Sequence, residues 1–353
     1  MAIALGAILI ILAIAWGGAL IGLKYLLGVV LPSLALLVFI IGFIMRLVYW
    51  AKSPVPFAIP TTGGQEKSLD WIKPARLDTP TSTMALIGRM ALEIFAFRSL
   101  FRNTRAVRTD DNGTPRITYY SSKWLWLFAL LFHYSMLVIV IRHARFILEP
   151  VPFCINAVEF LDGLFQVGTP RFFMSNALIL AGLGFLFLRR VCNERLRYLS
   201  LPADYFALFL LLAVVGSGIC MRYIDKVDIA MVKVVLMGLV TFNLPTMEQV
   251  SQIGSIFFIH VTFVSVLLIY FPFSKLMHMG GIFFSPTRNL KCNTREVRHI
   301  NPWNPPKKFH TYAAYEDDFR ELMVEADLPV DKPLEESADE EPATEETNEK
   351  APA

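Results

Sequence analysis

Cysteine is scarce in this 353-residue chain and poorly spaced for chemistry. There are four, Cys154, Cys192, Cys220 and Cys292, with no CxxC pair among them. An iron–sulfur cluster needs four thiolates at tight spacings and covalent haem attachment needs CxxCH, so both are excluded on this chain. For Cys154 and Cys220 a disulfide is one reading, and a pair of small apolar residues is the other. Charge is missing from long stretches. Hydrophobic residues make up 55% of the chain, which makes it a membrane protein before any motif is read. The amino-terminal stretch has neither a basic n-region nor a small-residue cleavage site, so it reads as a retained helix. Aromatics stop after Phe319, and ESADEEPATEETNEKAPA cannot bury a core. Residues 316–353 are therefore expected to be an acidic, disordered tail, with solvation rather than docking as its role.

What is present is a set of six apolar runs: Ile3–Leu23, Leu27–Trp50, Trp124–Leu148, Phe172–Leu188, Tyr205–Cys220 and Ile253–Phe273. The loops between them alternate in charge. Residues 51–123 hold eleven Lys/Arg against six Asp/Glu, the fourth run stops at Arg189, Arg190, Arg195 and Arg197, and the basic segment 281–315 follows the sixth. By the positive-inside rule these loops are cytoplasmic, as are both termini. The expected fold is an all-α integral membrane protein of six transmembrane helices: two at 1–50, a basic cytoplasmic loop at 51–123 and a four-helix core at 124–280. Met84–Phe101 reads as an amphipathic helix, either on the inner leaflet, against a partner, or packed on its own protein. The apolar patch IAMVKVVLMGLVTF is too short to span and reads as interfacial.

Four of the six histidines lie in two apolar stretches, Trp124–Glu149 and Ser251–Met279. His133 and His143 are ten residues apart, about 15 Å along a helix; His260 and His278 are eighteen apart, about 27 Å and five turns on one face. An imidazole in hydrocarbon costs several kcal/mol unless satisfied, so these positions call for partners. The two helices run antiparallel, which sets His133 against His278 toward the inner side and His143 against His260 toward the outer side. Two distant pairs suit two bis-histidine, low-spin b-type haems, non-covalently held, better than a zinc or copper site, where ligands converge on one point. The unequal spacings require tilt or a kink to absorb about 12 Å. His299 and His310, in a Pro-rich basic segment, are not read as ligands. Arg142, Arg145 and Arg171 are candidates for the outer haem's propionates or a quinone rim, and Arg189, Arg190 and Lys275 for the inner haem, with interfacial anchoring and positive-inside charge as the plainer readings.

LFHYSMLVIVIRH and HVTFVSVLLIYFPFSKLMH resemble the paired spacings of the cytochrome b subunits of the respiratory nitrate reductase gamma family, and GFIMRLVYW and FLFLRR resemble its first helix and a basic stop. The similarity covers residues 25–50 and 120–300. It implies that His133 and His278 hold one haem iron and His143 and His260 the other. The extra amino-terminal helix, long basic loop, acidic tail and FSKLMHMGGIFFSPTRN look more like the DsrM family of membrane cytochromes b, from the DsrMKJOP complex of sulfur-compound metabolism. That resemblance implies a cytoplasmic iron–sulfur partner like heterodisulfide reductase, a second quinone-interacting membrane subunit, and periplasmic multihaem cytochrome c and iron–sulfur subunits, with no nucleic-acid partner. A heterodisulfide or nitrate reductase cytochrome b is the alternative.

The expected function is electron transfer, with menaquinol oxidised near the outer haem and a cytoplasmic partner reduced from the inner one. The chain would be the quinol-oxidising subunit of an oxidoreductase complex, without the terminal catalytic site. A haem-bearing wire with no quinone site is a second reading. A haem-free transporter or anchor is a third, which predicts broken helices and internal repeats.

Overall fold

The computed structural model describes residues 1–53, 71, 73, 75–111, 114–168, 171–293 and 309–333. Six helices are long and apolar enough to cross a membrane, and they form a helical, multi-pass membrane protein. α1 (Ala2–Leu20) leads through Gly22, whose φ of +88° only glycine adopts freely, and a π-turn (Leu26–Val30) into α2 (Leu31–Ala51). The Met84–Phe101 segment forms α3 (Thr83–Ala96), capped by Ser82, and the short α4 (Arg98–Phe101). The two are separated by Phe97 in the left-handed region at φ 50°.

An antiparallel hairpin then follows, β1 (Thr104–Asp111) and β2 (Thr114–Ser121). The all-α expectation lacked it. Its alternation is weak because neither face is buried, so no period-2 pattern of apolar residues marks it.

The second half carries the other four spans. α5 (Lys123–His143) continues into a 3₁₀ turn to Phe146, and α6 (Phe153–Leu164) packs back on it. Next come α7 (Met174–Cys192), the short α8 (Glu194–Leu199), α9 (Pro202–Tyr223), α10 (Ile229–Val240) and α11 (Met247–Ser251). α10 is the short apolar helix expected of an interfacial segment. α5 packs on α7, and α7 on α9, while α12 (Ser255–Tyr270) packs against α1, α2 and α9. Gly182 permits the close α5–α7 approach, since a Cβ there would sit 2.9 Å from the Phe132 side chain and 3.0 Å from its backbone nitrogen.

α12 does not run on to His278. Pro272 cannot donate an amide to the helix, and the chain passes through a 3₁₀ turn (Phe271–Phe273) and an extended Ser274 (ψ 175°). A second 3₁₀ turn, Lys275–Met277, leads into α13 (His278–Gly281) and then α14 (Pro286–Asn289). The expectation of one continuous helix with His260 and His278 five turns apart is therefore corrected. A break at Pro272–Ser274 absorbs the excess spacing. α2 braces the break: a Cβ on Gly42 would lie 2.9 Å from Pro272, and Phe39 meets Phe271 edge-on at 5.5 Å.

Residues 302–353 form a separate unit. Within it α15 (Tyr312–Glu325) is capped by the Thr311 hydroxyl. The disordered tail was expected from residue 316, and this helix corrects that start. The buried Glu316 accepts from Arg320 Nε at 3.2 Å and from the backbone N–H of Asp331 and Lys332 at 2.9 and 3.0 Å. Local pairing thus satisfies charges that composition alone assigns to solvent. Residues 334–353, with most of the acidic run, lie outside the described residues, as does His299.

Candidate functional site

The histidine rings meet in two pairs. His133 on α5 lies 6.0 Å, centre to centre, from His278 at the start of α13, with ring planes at 85°. His143 at the last turn of α5 lies 6.4 Å from His260 on α12, with planes at 25°. Metal–imidazole nitrogen bonds run about 2.0 Å, and a ring nitrogen sits about 1.1 Å from its ring centre. Two imidazoles sharing one metal ion from opposite sides would therefore have centres about 6.2 Å apart. Both pairs match that separation.

Every one of the four rings is also held by its Nδ1. His133 Nδ1 is 2.7 Å from Ala129 O, His143 Nδ1 2.7 Å from Ile139 O, and His278 Nδ1 2.9 Å from Lys275 O. A carbonyl only accepts, so each Nδ1 donates and, in the neutral ring, leaves the Nε2 lone pair free. His260 Nδ1 lies 3.0 Å from Ser217 Oγ. That hydroxyl donates its proton to Ala213 O at 2.7 Å, so it accepts from His260 in the same sense. All four rings are thus fixed in the tautomer that ligates a metal through Nε2, with the outer-shell partner that ligating histidines take. No group of three or more His, Cys, Asp or Glu converges on one point among the described residues. The chemistry of the donor set, two imidazoles at each of two separate points, would suit a haem iron.

The surroundings differ at the two ends. The ring of His133 meets Phe97 and Phe132 edge-on, each at 4.9 Å. Phe97 reaches it because its left-handed backbone turns the chain between α3 and α4, and Trp126 Nε1 and Tyr134 OH donate to Ala96 O and Phe95 O at 2.7 and 2.8 Å. α3 therefore packs on its own protein, the third of the readings of that segment. Lys275 donates to Asp204 at 2.8 Å, with Arg190 3.7 Å from the same carboxylate, and Arg189 is half-buried.

At the other end, Arg142 is buried and donates to Asp162 at 2.5 Å, and Asp162 also accepts from Ser175 N and Oγ at 2.7 and 2.6 Å. Arg145 pairs with Glu159 at 2.5 Å. Both arginines are committed to carboxylates of α6, and Arg171 is exposed in a turn. Cys154 and Cys220 are free, so the disulfide reading is corrected. Ser217 and Arg222, both on α9, escaped the sequence reading. The signal for Ser217 was GSG at 216–218, small and polar residues inside an apolar span.

These features define a helical membrane subunit of the cytochrome b electron-transfer class. The model of the nitrate reductase gamma subunit family matches residues 90–298, more than half of the chain, and the chain belongs to that family. Two archaeal relatives are each named "Hdr-like menaquinol oxidoreductase cytochrome b-like subunit". The protein from Archaeoglobus fulgidus is 49% identical over 282 residues, 79% of this chain and 83% of the relative. The one from Archaeoglobus profundus is 42% identical over 279 residues, 78% of this chain and 82% of the relative.

Proposed function

We propose that the chain is the di-haem cytochrome b of a respiratory complex in the cytoplasmic membrane of a prokaryote, with both termini inside. The observation that carries this is the pair of ring separations, 6.0 and 6.4 Å, with all four Nδ1 atoms already engaged. Two b-type haems so held supply one-electron transfer through the bilayer, from menaquinol at the outer side to a cytoplasmic iron–sulfur partner like heterodisulfide reductase. The names of the two relatives support the menaquinol and heterodisulfide-reductase parts of this reading. Its place in dissimilatory sulfur metabolism, beside a second quinone-interacting membrane subunit and periplasmic multihaem cytochrome c and iron–sulfur subunits, rests on the resemblance to the DsrM family.

The residues have separable tasks in this scheme. His143 and His260 hold the outer iron, and His133 and His278 the inner one. Ala129, Ile139, Lys275 and Ser217 fix the ring orientation of the four ligands. Phe97 and Phe132 pack edge-on against His133. Lys275, Arg189 and Arg190 supply positive charge at the inner end, with Asp204 setting the lysine's position, while at the outer end Arg142 and Arg145 tie α5 to α6 and Arg171 remains a candidate for the quinone rim. Quinol oxidation needs a proton exit, and the outer end carries the carboxylates of Glu159 and Asp162.

The test is a pyridine haemochrome assay and redox titration of the purified chain with a menaquinol analogue. Two b haems per chain, reducible by the analogue, are expected. Two haems that ignore the analogue would leave a wire between redox partners, with quinone bound elsewhere. A colourless protein would overturn the reading.

A further inference from the structure

At the end of the bundle that carries His143 and His260, three arginines face two carboxylates. Arg142 pairs with Asp162 and Arg145 with Glu159, both on α6. Arg222 makes no ion pair with a carboxylate among the described residues, yet it is held in place. Its guanidinium lies 4.2 Å from the centre of the Phe173 ring, the same distance as Arg142, so two like charges converge on one ring. Phe173 is itself fixed, because its backbone N–H donates to the Tyr223 hydroxyl at 3.0 Å, as does Asn176. A guanidinium stacked on an aromatic face can still present N–H donors at its edge to a planar oxyanion. Three arginines against two carboxylates leave this cluster net positive.

The placement of Arg222 on α9 says where a balancing negative charge comes from. The same helix gives Ser217 to His260 Nδ1, and a Cβ on Gly218 would lie 3.2 Å from His260 Cε1. Arg222 follows Gly218 by four residues, so it stands one turn further along the same face, about 6 Å on. α9 thus offers a hydroxyl, a clearance and a cation in sequence along one edge of the ring pair.

We propose that Arg222 binds a propionate carboxylate of the haem held by His143 and His260, as the positioning and charge-setting residue of that site. The proposal rests on the di-haem reading. It also divides the arginines at this end. Arg142 and Arg145 are internal ties between α5 and α6, and Arg222 is the one turned to the cofactor. The competing source of an oxyanion is a lipid phosphate, which an arginine at the end of a span also meets.

The experiment uses the full-length protein in its native membrane complex, with haem carrying ¹³C at the propionate carboxylates, and Arg222→Gln and Arg222→Lys beside the wild type. Pyridine haemochrome counts on the wild type come first, and a count of zero would remove the functional reading and this proposal together. With two haems present, redox-induced infrared difference spectra are expected to show a label-sensitive carboxylate band that shifts in Arg222→Gln. The midpoint potential of one haem should fall in the same variant, with the other unmoved, and Arg222→Lys should restore most of the potential. A labelled band identical in wild type and Arg222→Gln would make Arg222 a headgroup anchor and overturn the proposal while the haems stand. Should Arg222→Gln fail to assemble, the band in Arg222→Lys decides: a changed frequency supports the contact and an unchanged one overturns it.

Discussion

The two histidine pairs solve one problem in different ways. His143 and His260 sit on regular helices, α5 and α12, and their rings are nearly coplanar at 25°. His133 and His278 are nearly perpendicular at 85°, because His278 arrives after a break and sits at the start of a single turn. The first pair takes its orientation from helix geometry and one serine. The second takes it from Pro272, Ser274 and the α2 groove that braces them. Ring separation, which would decide whether a metal fits between the two, is held nearly equal, while ring orientation, which would set how that metal's d orbitals split, is left to differ.

The largest effect expected is loss of a haem. His143→Ala should halve the pyridine haemochrome count and abolish reduction by a menaquinol analogue. His278→Ala should also halve the count but leave that reduction intact, with transfer to the cytoplasmic acceptor lost. Normal quinol-driven reduction in His143→Ala would break the assignment of sides. A spectroscopic difference comes next. Electron paramagnetic resonance of the oxidised protein should show two low-spin species, the perpendicular pair giving the more anisotropic signal, and that signal should vanish in His278→Ala.

Ser217→Ala sharpens the contrast further, since it unties His260 alone. By the usual weight of an outer-shell partner it should weaken retention of that haem by about 10-fold, read by titration of the apoprotein with haem, and leave the other site unchanged. Gly182→Val forces α5 from α7 and should destabilise the fold by about 1–3 kcal/mol, read by thermal unfolding in detergent.

The smallest effect lies in the α3–α4 segment that supports the His133 end. The Arg98 guanidinium, with Arg102, holds Asp78 down to about 2. A lowered carboxyl stabilises above its ordinary value of 3.8 and stops doing so as pH falls through about 2, so no change is expected near neutral pH. Asp78→Asn should loosen α4 by under about 1 kcal/mol, because the pair is partly exposed and screened. Amide hydrogen exchange at Ser99 and Leu100 is the measurement.

Much of this was legible in the residues. Six apolar runs predict six spans to within a few positions, since hydropathy over twenty residues is a strong signal. The meeting of His133 with His278 and His143 with His260 followed from antiparallel order alone. What was missed has physical reasons. The unequal histidine spacings called for a tilt or kink, but not for its place: the break after Tyr270 is marked in the sequence by Pro272, and proline in a membrane helix is often tolerated. The β1–β2 hairpin buries neither face and so leaves no periodic trace. Arg142 and Arg145 looked available because the carboxylates that take them lie twenty and fourteen residues downstream, on a helix α6 that composition alone reads as loop.

Both pairs draw one ring from α5 and the other from residues 260–278. At 5–20 residues per second, the second ring of either pair leaves the ribosome on the order of ten seconds after the first. Neither site exists on the nascent chain in the interval, while the α2 groove that will receive Pro272 is already made. On the proposed di-haem reading, cofactor loading would be a late event in the biogenesis of this subunit, and a chain truncated before its last span would insert five helices yet lack one histidine of each pair.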